Sequence, residues 1–181
     1  MHNIVIAVGL AGIAGTWGGC ESGTAQEGIY QVTGQTRSEP CDAAPVNETP
    51  FDPFVFVQNQ AFFSEEFVAV VGCADPTDCR NLAAEDTLFL GGDNFDQGND
   101  DDGWTGRIVF VSGTSSCVGT VAELRLSFAG GGLRIDRTDT EVMFTPSGGE
   151  CTTDQTEDEV DAGRGTCSAQ VTKTATKTAD L

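Results

Sequence analysis

Seven cysteines carry the most reactive chemistry in the chain: Cys20, Cys41, Cys73, Cys79, Cys117, Cys151 and Cys167. A cysteine can attack as a thiolate, hold a metal, or pair with another cysteine. Attack needs a neighbouring base, and the one histidine, His2, lies at the extreme start. Its loss with a leader would leave no imidazole for a Ser–His–Asp or Cys–His arrangement, or for a His-ligated metal. The CxxC spacing of zinc and redox sites is absent. Pairing remains. With Cys20 set aside, the other six cysteines make three disulfides, which implies an oxidising compartment. Paired as neighbours, Cys73 and Cys79 would staple a short connection containing Pro76. Cys151 and Cys167 would clasp a helix between them, and Cys41 and Cys117 would join the two halves of the chain.

Oxygen ligands are densest between Asp93 and Gly103. Asp93, Asp96, Asp100, Asp101 and Asp102 suit a weak calcium site, because carboxylates are the ligands this hard cation prefers. The spacing departs from an EF-hand: with Gly98 as the central glycine, Phe95 and Gln97 fall at ligand positions. The plainer reading of the same acids is a solvated loop. Trp104, which follows, caps a core or lines a pocket. The sequence holds no GxSxG, no phosphate-binding P-loop and no GxGxxG after a strand. Carboxylates are so frequent that a glycosidase-like pair arises by chance. A non-enzyme is expected, with no organic cofactor.

Ile4–Ala14 is an apolar run of leader length, too short to span a bilayer. Trp17-Gly18-Gly19-Cys20 after it resembles a lipobox, the cleavage and lipidation signal of bacterial lipoproteins. That resemblance implies a signal peptide over 1–19 and a lipid on Cys20; by composition 20–27 reads as a polar tether, and by length and composition 28–181 as one β domain. The expected location is the cell envelope, with the lipid in the outer membrane or at the cell surface. The alternative is free secretion after cleavage at Gly23-Thr24-Ala25. Acidic residues outnumber basic ones 28 to 9, for a formal charge of −19. Nucleic acid is excluded as a partner, because phosphate binding needs clustered Lys and Arg. Acidity of this kind keeps an exported protein soluble, and a monomer is expected.

The elements that must position these residues are strands. Gly28–Thr33, Phe54–Val57, Phe67–Val71 and Arg107–Val111 read as strands, and Thr87–Leu90 as a short further one. Arg37–Pro53 is proline-rich and reads as a loop, and Cys73–Ala84 as a connection with one helical turn after Asp78. From Ala122 to Phe128 apolar and polar residues alternate, a turn follows at Gly130–Gly132, and Leu133–Asp136 resumes the alternation. Phe128 then faces Leu133, Leu126 faces Ile135, and Arg125 faces Asp136. Thr152–Ala162 suits an exposed acidic helix capped by Thr152 and Gln155, and Ala169–Thr176 a last strand. The fold class is all-β: an antiparallel meander of seven to eight strands, closed as a small barrel or folded as a sandwich, with one short helix near the C-terminus. With eight strands, up-and-down counting places all six domain cysteines at one end, and the tether, the acidic loop and the glycine turn at the other.

Taken whole, the chain resembles the small, acidic, cysteine-paired lipoproteins of unknown function of Gram-negative soil bacteria. The shared features are the N-terminal Cys20, the Gly28-Ile29-Tyr30 strand start, Asp102-Gly103-Trp104 and the cysteine-rich connections. Gly28-x-Tyr30 also resembles the G-x-W of lipocalins. The first resemblance implies a lipid-anchored envelope or surface module that binds or spaces. The second implies a carrier of a small apolar ligand. A hydrolase ranks last.

Overall fold

The computed structural model describes residues 6–7, 26–62, 65–85 and 92–181. Cys20, most of the leader, and the proposed strand at Thr87–Leu90 lie outside them. The elements are β1 (Ile6–Ala7), β2 (Gly28–Ser38), β3 (Val46–Asn47), β4 (Phe54–Phe62), β5 (Glu65–Cys73), α1 (Pro76–Ala84), β6 (Asp93–Phe95), β7 (Gln97–Asn99), β8 (Gly103–Gly113), β9 (Cys117–Ala129), β10 (Gly132–Phe144), α2 (Thr153–Asp161) and β11 (Thr166–Ala179).

Every pairing is antiparallel, and the long strands are neighbours in chain order until β11 returns to β2. β6 and β7 act as one strand broken at Asp96. β6 pairs with β5 and β7 with β8, and the Asp96 N–H donates to the Thr105 carbonyl at 3.0 Å. The break joins the two halves into a nearly closed barrel. Gly106 permits that join: a Cβ there would lie 1.9 Å from the Asn94 carbonyl oxygen. The two-residue strand β1 pairs with Val109 and Phe110 of β8, and β3 with Thr36 and Arg37 of β2.

The hairpin β9–β10 has the register its alternation dictates: Phe128 faces Leu133, Leu126 faces Ile135, Arg125 faces Asp136. Gly130 and Gly131 turn it with φ of +57° and +77°, the two positive values of a tight primed turn. The segment Asp93–Asn99, taken from the sequence as part of an acidic loop, is instead the split strand. Phe95 is its only large apolar residue, so alternation gave little signal there, and the strand holds through two short pairings. This segment supplies the eighth strand, so the up-and-down count stands. The loops after β2, β5, β8 and β10 fall at one end, here called the disulfide end. The turns after β4, β7 and β9, and residues Gln26–Glu27, fall at the other, the aromatic end.

Alternation sends one face of each strand inward. Tyr30, Val57, Val68, Phe95 and Leu126 are fully buried in that interior. The outer face is covered in two places. α1 packs on β4 and β5 over Ile29, Phe56, Ala69 and Val71. It is longer than the single turn expected after Asp78. Asp75 caps it by accepting from the Thr77 and Asp78 N–H groups at 2.7 and 3.0 Å, and Pro76 opens it, so the start signal lies three residues earlier than the one read. α2 crosses β8, β9 and β10. Thr152 caps it as expected, but Gln155 donates to Ser147 instead of closing the box. Its Thr156 is fully buried against Gly119, where a Cβ would lie 2.3 Å from the Thr156 methyl. Arg107 on β8 clamps the helix through Asp161 at 2.7 Å.

Six cysteines form three disulfides: Cys41–Cys167, Cys73–Cys79 and Cys117–Cys151. All lie at the disulfide end. Only the Cys73–Cys79 staple matches the neighbour pairing. A nine-residue helix separates Cys151 from Cys167. That helix alone spans about 13 Å, whereas bridged Cα atoms stand about 4.4–6.8 Å apart. Sheet order decides the partners instead. β11 lies beside β2, so Cys167 meets Cys41 with Cα atoms 5.7 Å apart. α2 lies over β9, so Cys151 before the helix meets Cys117 at the head of that strand, at 5.6 Å.

Candidate functional site

The aromatic end is a closed floor. Tyr30 and Trp104 are buried, and Phe128 packs beside Tyr30 with ring centroids 6.4 Å apart. The polar tips of Tyr30 and Trp104 are each satisfied by a hydrogen bond. Tyr30 donates its hydroxyl to the Gln26 carbonyl at 2.7 Å, and the Trp104 indole N–H donates to Asp100 at 2.8 Å. Burial pushes the Tyr30 phenol up to about 12, with Asp100 and Asp180 adding to the shift. Trp104 is thus a core cap.

The five acids proposed for calcium do not converge. Asp93 stands opposite Val70, whose side chain belongs to the interior cluster, so Asp93 also points inward. Asp96 is exposed at the strand break. Asp100 is held by Trp104, and Asp102 accepts from Asn99 at 3.0 Å. The Asn99 side-chain oxygen accepts from the Asp101 and Asp102 N–H groups, so this stretch is an Asx-type turn. Among the described residues, no group of three or more Asp, Glu, Cys or His side chains is gathered as a metal would need.

Sequence reading missed a charged layer midway up the barrel. Lys173 stands directly opposite Ile135, an interior residue, and shares its inward face. Arg137 and Asp139 continue that face of β10 and form an ion pair at 2.7 Å. Burial raises the Asp93 carboxyl above the usual range; Arg137 and Lys173 draw it back, and Asp139 raises it further. Among the described residues, no carboxylate lies within ion-pairing distance of Lys173. The signal was present: Leu133-x-Ile135-x-Arg137-x-Asp139 keeps one phase, and the dry-face reading stopped two residues short of Arg137. On the outer face, Asp136 pairs with Arg134 at 2.7 Å, which holds its carboxyl below the usual range.

Above this layer the barrel opens. Val118 and Met143 face each other across β9–β10 on the inward phase, yet are 40% and 70% exposed. A separate hollow of about 390 Å³, lined by Thr114, Ser115, Thr145, Pro146 and Gly149, lies among the loops at the same end and holds no titratable group. No family model, curated protein or solved structure matches the chain.

Proposed function

We propose that the protein is an exported envelope module, non-catalytic, held to a membrane by a lipid on Cys20. The observation that carries this reading is the pairing of all six other cysteines, which fits an oxidising compartment and assigns each of them a partner. Residues Gln26–Gly28 enter at the aromatic end, opposite the disulfides, so a tether from Cys20 would turn the disulfide end away from the membrane. In the processed protein Ile6 and Ala7 leave with the leader. Mass spectrometry of the native protein tests the reading: acyl chains on an N-terminal Cys20 are expected, and Cys20→Ser should move the protein from the membrane to the soluble fraction. A soluble wild type without acyl chains overturns it.

A second reading, a carrier, is favoured by one observation. At the rim of the disulfide end the inward-facing Val118 and Met143 are reached by solvent, whereas Tyr30 and Trp104 at the aromatic end are not.

A further inference from the structure

We propose that the disulfide end of the barrel interior binds a single-chain amphiphile with an anionic head, its carboxylate seated on Lys173 and Arg137 and its alkyl chain running out past Val118 and Met143. The inference rests on the carrier reading and names its ligand class. It is independent of the lipid on Cys20.

Three features set this orientation. The aromatic floor of Tyr30, Trp104 and Phe128 is closed, so a ligand enters from the disulfide end. Acids outnumber bases 28 to 9 in this chain, yet Lys173 projects into the barrel with no carboxylate paired to it among the described residues. Arg137 lies on the same inward face, and its side chain remains 33% exposed although it pairs with Asp139. A partly desolvated cation pair of this kind favours a carboxylate, because charge-assisted hydrogen bonds strengthen as water is excluded. The wall above is apolar or small on β11 and most of β9, where Ala169 and Ala122 are buried and Val118 faces inward yet is exposed, while β10 brings Asp139 and Glu141 to the same face before the exposed Met143. Lys173 is level with Ile135, and the strand from Ile135 to Met143 runs about 27 Å, ample for a medium alkyl chain. Burial of such a chain supplies the driving force, and the cations choose the head group.

Charge in the layer sets a pH dependence. Among the described residues, the titratable groups facing the head position are Asp93 on β6, Asp139 and then Glu141 on β10, Lys173 on β11 and Arg37 on β2, together with Arg137; Arg37 stands opposite Val171, pairs with Glu39 and acts on Asp139. Asp52 lies over Gly72 of β5, where a Cβ would fall 2.1 Å from its Oδ2. Arg37, Arg137 and Lys173 stand against Asp52, Asp93, Asp139 and Glu141, so an added carboxylate deepens an excess of negative charge. Asp93, already shifted toward its protonated form, takes up a proton as the ligand binds. Binding therefore tightens as pH falls toward mild acid, and Asp93→Asn tightens it at neutral pH.

Isothermal titration of the oxidised protein tests this with three probes of equal chain length, each below its micelle concentration: dodecanoate, dodecanol and dodecyltrimethylammonium. Dodecanoate should bind at one site, dodecanol about tenfold or more weaker, and the cation not at all. Lys173→Gln should reduce dodecanoate to the level of dodecanol, and Lys173→Arg should keep most of the preference. Circular dichroism verifies that each variant is folded. Absence of saturable dodecanoate binding, equal affinity for acid and alcohol, or an unchanged preference in folded Lys173→Gln would each overturn the proposal. None of these outcomes bears on acylation of Cys20.

Discussion

The two ends of this barrel keep their shape by different means. The aromatic end is closed by packed, buried rings whose polar tips bond to the Gln26 carbonyl and Asp100, and its connections are tight turns at Asp100–Asp102 and Gly130–Gly131. The disulfide end carries the long loops, and covalent bridges hold them while the interior beneath stays partly open. Where apolar burial suffices the chain needs no crosslink. Where the interior is charged and wet, each of the three connections longer than the β8–β9 turn carries a disulfide. Stability and access are thus separated along one axis, and each end can be perturbed without the other.

The largest expected effect is at the disulfide end. Cys41–Cys167 closes 126 residues, Cys117–Cys151 closes 34 and Cys73–Cys79 closes 6. By the loop-entropy relation these contribute about 5, about 4 and about 2 kcal/mol. Paired Cys→Ala variants should lower the melting temperature in that order. Equal losses from all three pairs would mean that the bridges act through local packing and not by restraining the unfolded chain.

Next come core truncations on the same inward face at opposite ends. Trp104→Ala removes a ring that is 4% exposed and should cost about 3–5 kcal/mol, read by denaturant unfolding. Met143→Ala removes a side chain that is 70% exposed and should stay within about 0.5 kcal/mol. Similar losses at the two positions would show that the disulfide end is as tightly packed as the floor, and would remove the basis for a ligand there.

How far the sequence revealed this contrast depends on the element. The β9–β10 hairpin was legible residue by residue, because an apolar residue on the wrong face is costly and a one-residue slip reverses the whole strand. The clustering of cysteines at one end followed from strand parity. Their partners did not, because partnership depends on which strands meet when the barrel closes, and β11 meeting β2 is a long-range event that no local pattern encodes. The split strand Asp93–Asn99 was hidden by its polarity. Arg137 and Lys173 were hidden for the opposite reason: charged residues on a dry face contradict the rule that identified the face, and that contradiction is the mark of a candidate site.

The ends should also titrate apart. Folded Tyr30 holds its proton to about 12 against an ordinary value near 10. Its contribution is therefore intact below about pH 10 and lost as pH rises from there to about 12, by roughly 2–3 kcal/mol. Tyr30→Phe should blunt this alkaline loss at a cost of about 1 kcal/mol for the missing hydrogen bond. Asp93 acts in mild acid. Its raised value means that the folded state binds more protons than the unfolded one just above the ordinary carboxylate range, so its effect on stability worsens as pH rises through that window. Asp93→Asn should raise the melting temperature at neutral pH and lose that advantage in acid. A variant less stable than wild type at neutral pH would show that Asp93 is held charged by Lys173 and Arg137.

The smallest effect expected is that of calcium on the aromatic end. A millimolar site given a tenfold excess of cation would stabilise the fold by about 1.4 kcal/mol, since RT ln(1 + [L]/Kd) is the whole of the linkage. The geometry argues for less: Asp93 faces inward, Asp100 is bound to Trp104, and Asp102 to Asn99. A formal charge of −19 still gives any divalent cation a screening benefit, so magnesium at the same concentration is the control. We expect calcium and magnesium to shift the melting temperature equally, and Asp100→Asn/Asp101→Asn/Asp102→Asn to leave that shift nearly unchanged. A calcium-specific rise abolished by the triple substitution would mean that the turn rearranges around the ion. The aromatic end would then be held by a ligand as well as by packing, and the contrast between the two ends would narrow to the nature of the crosslink.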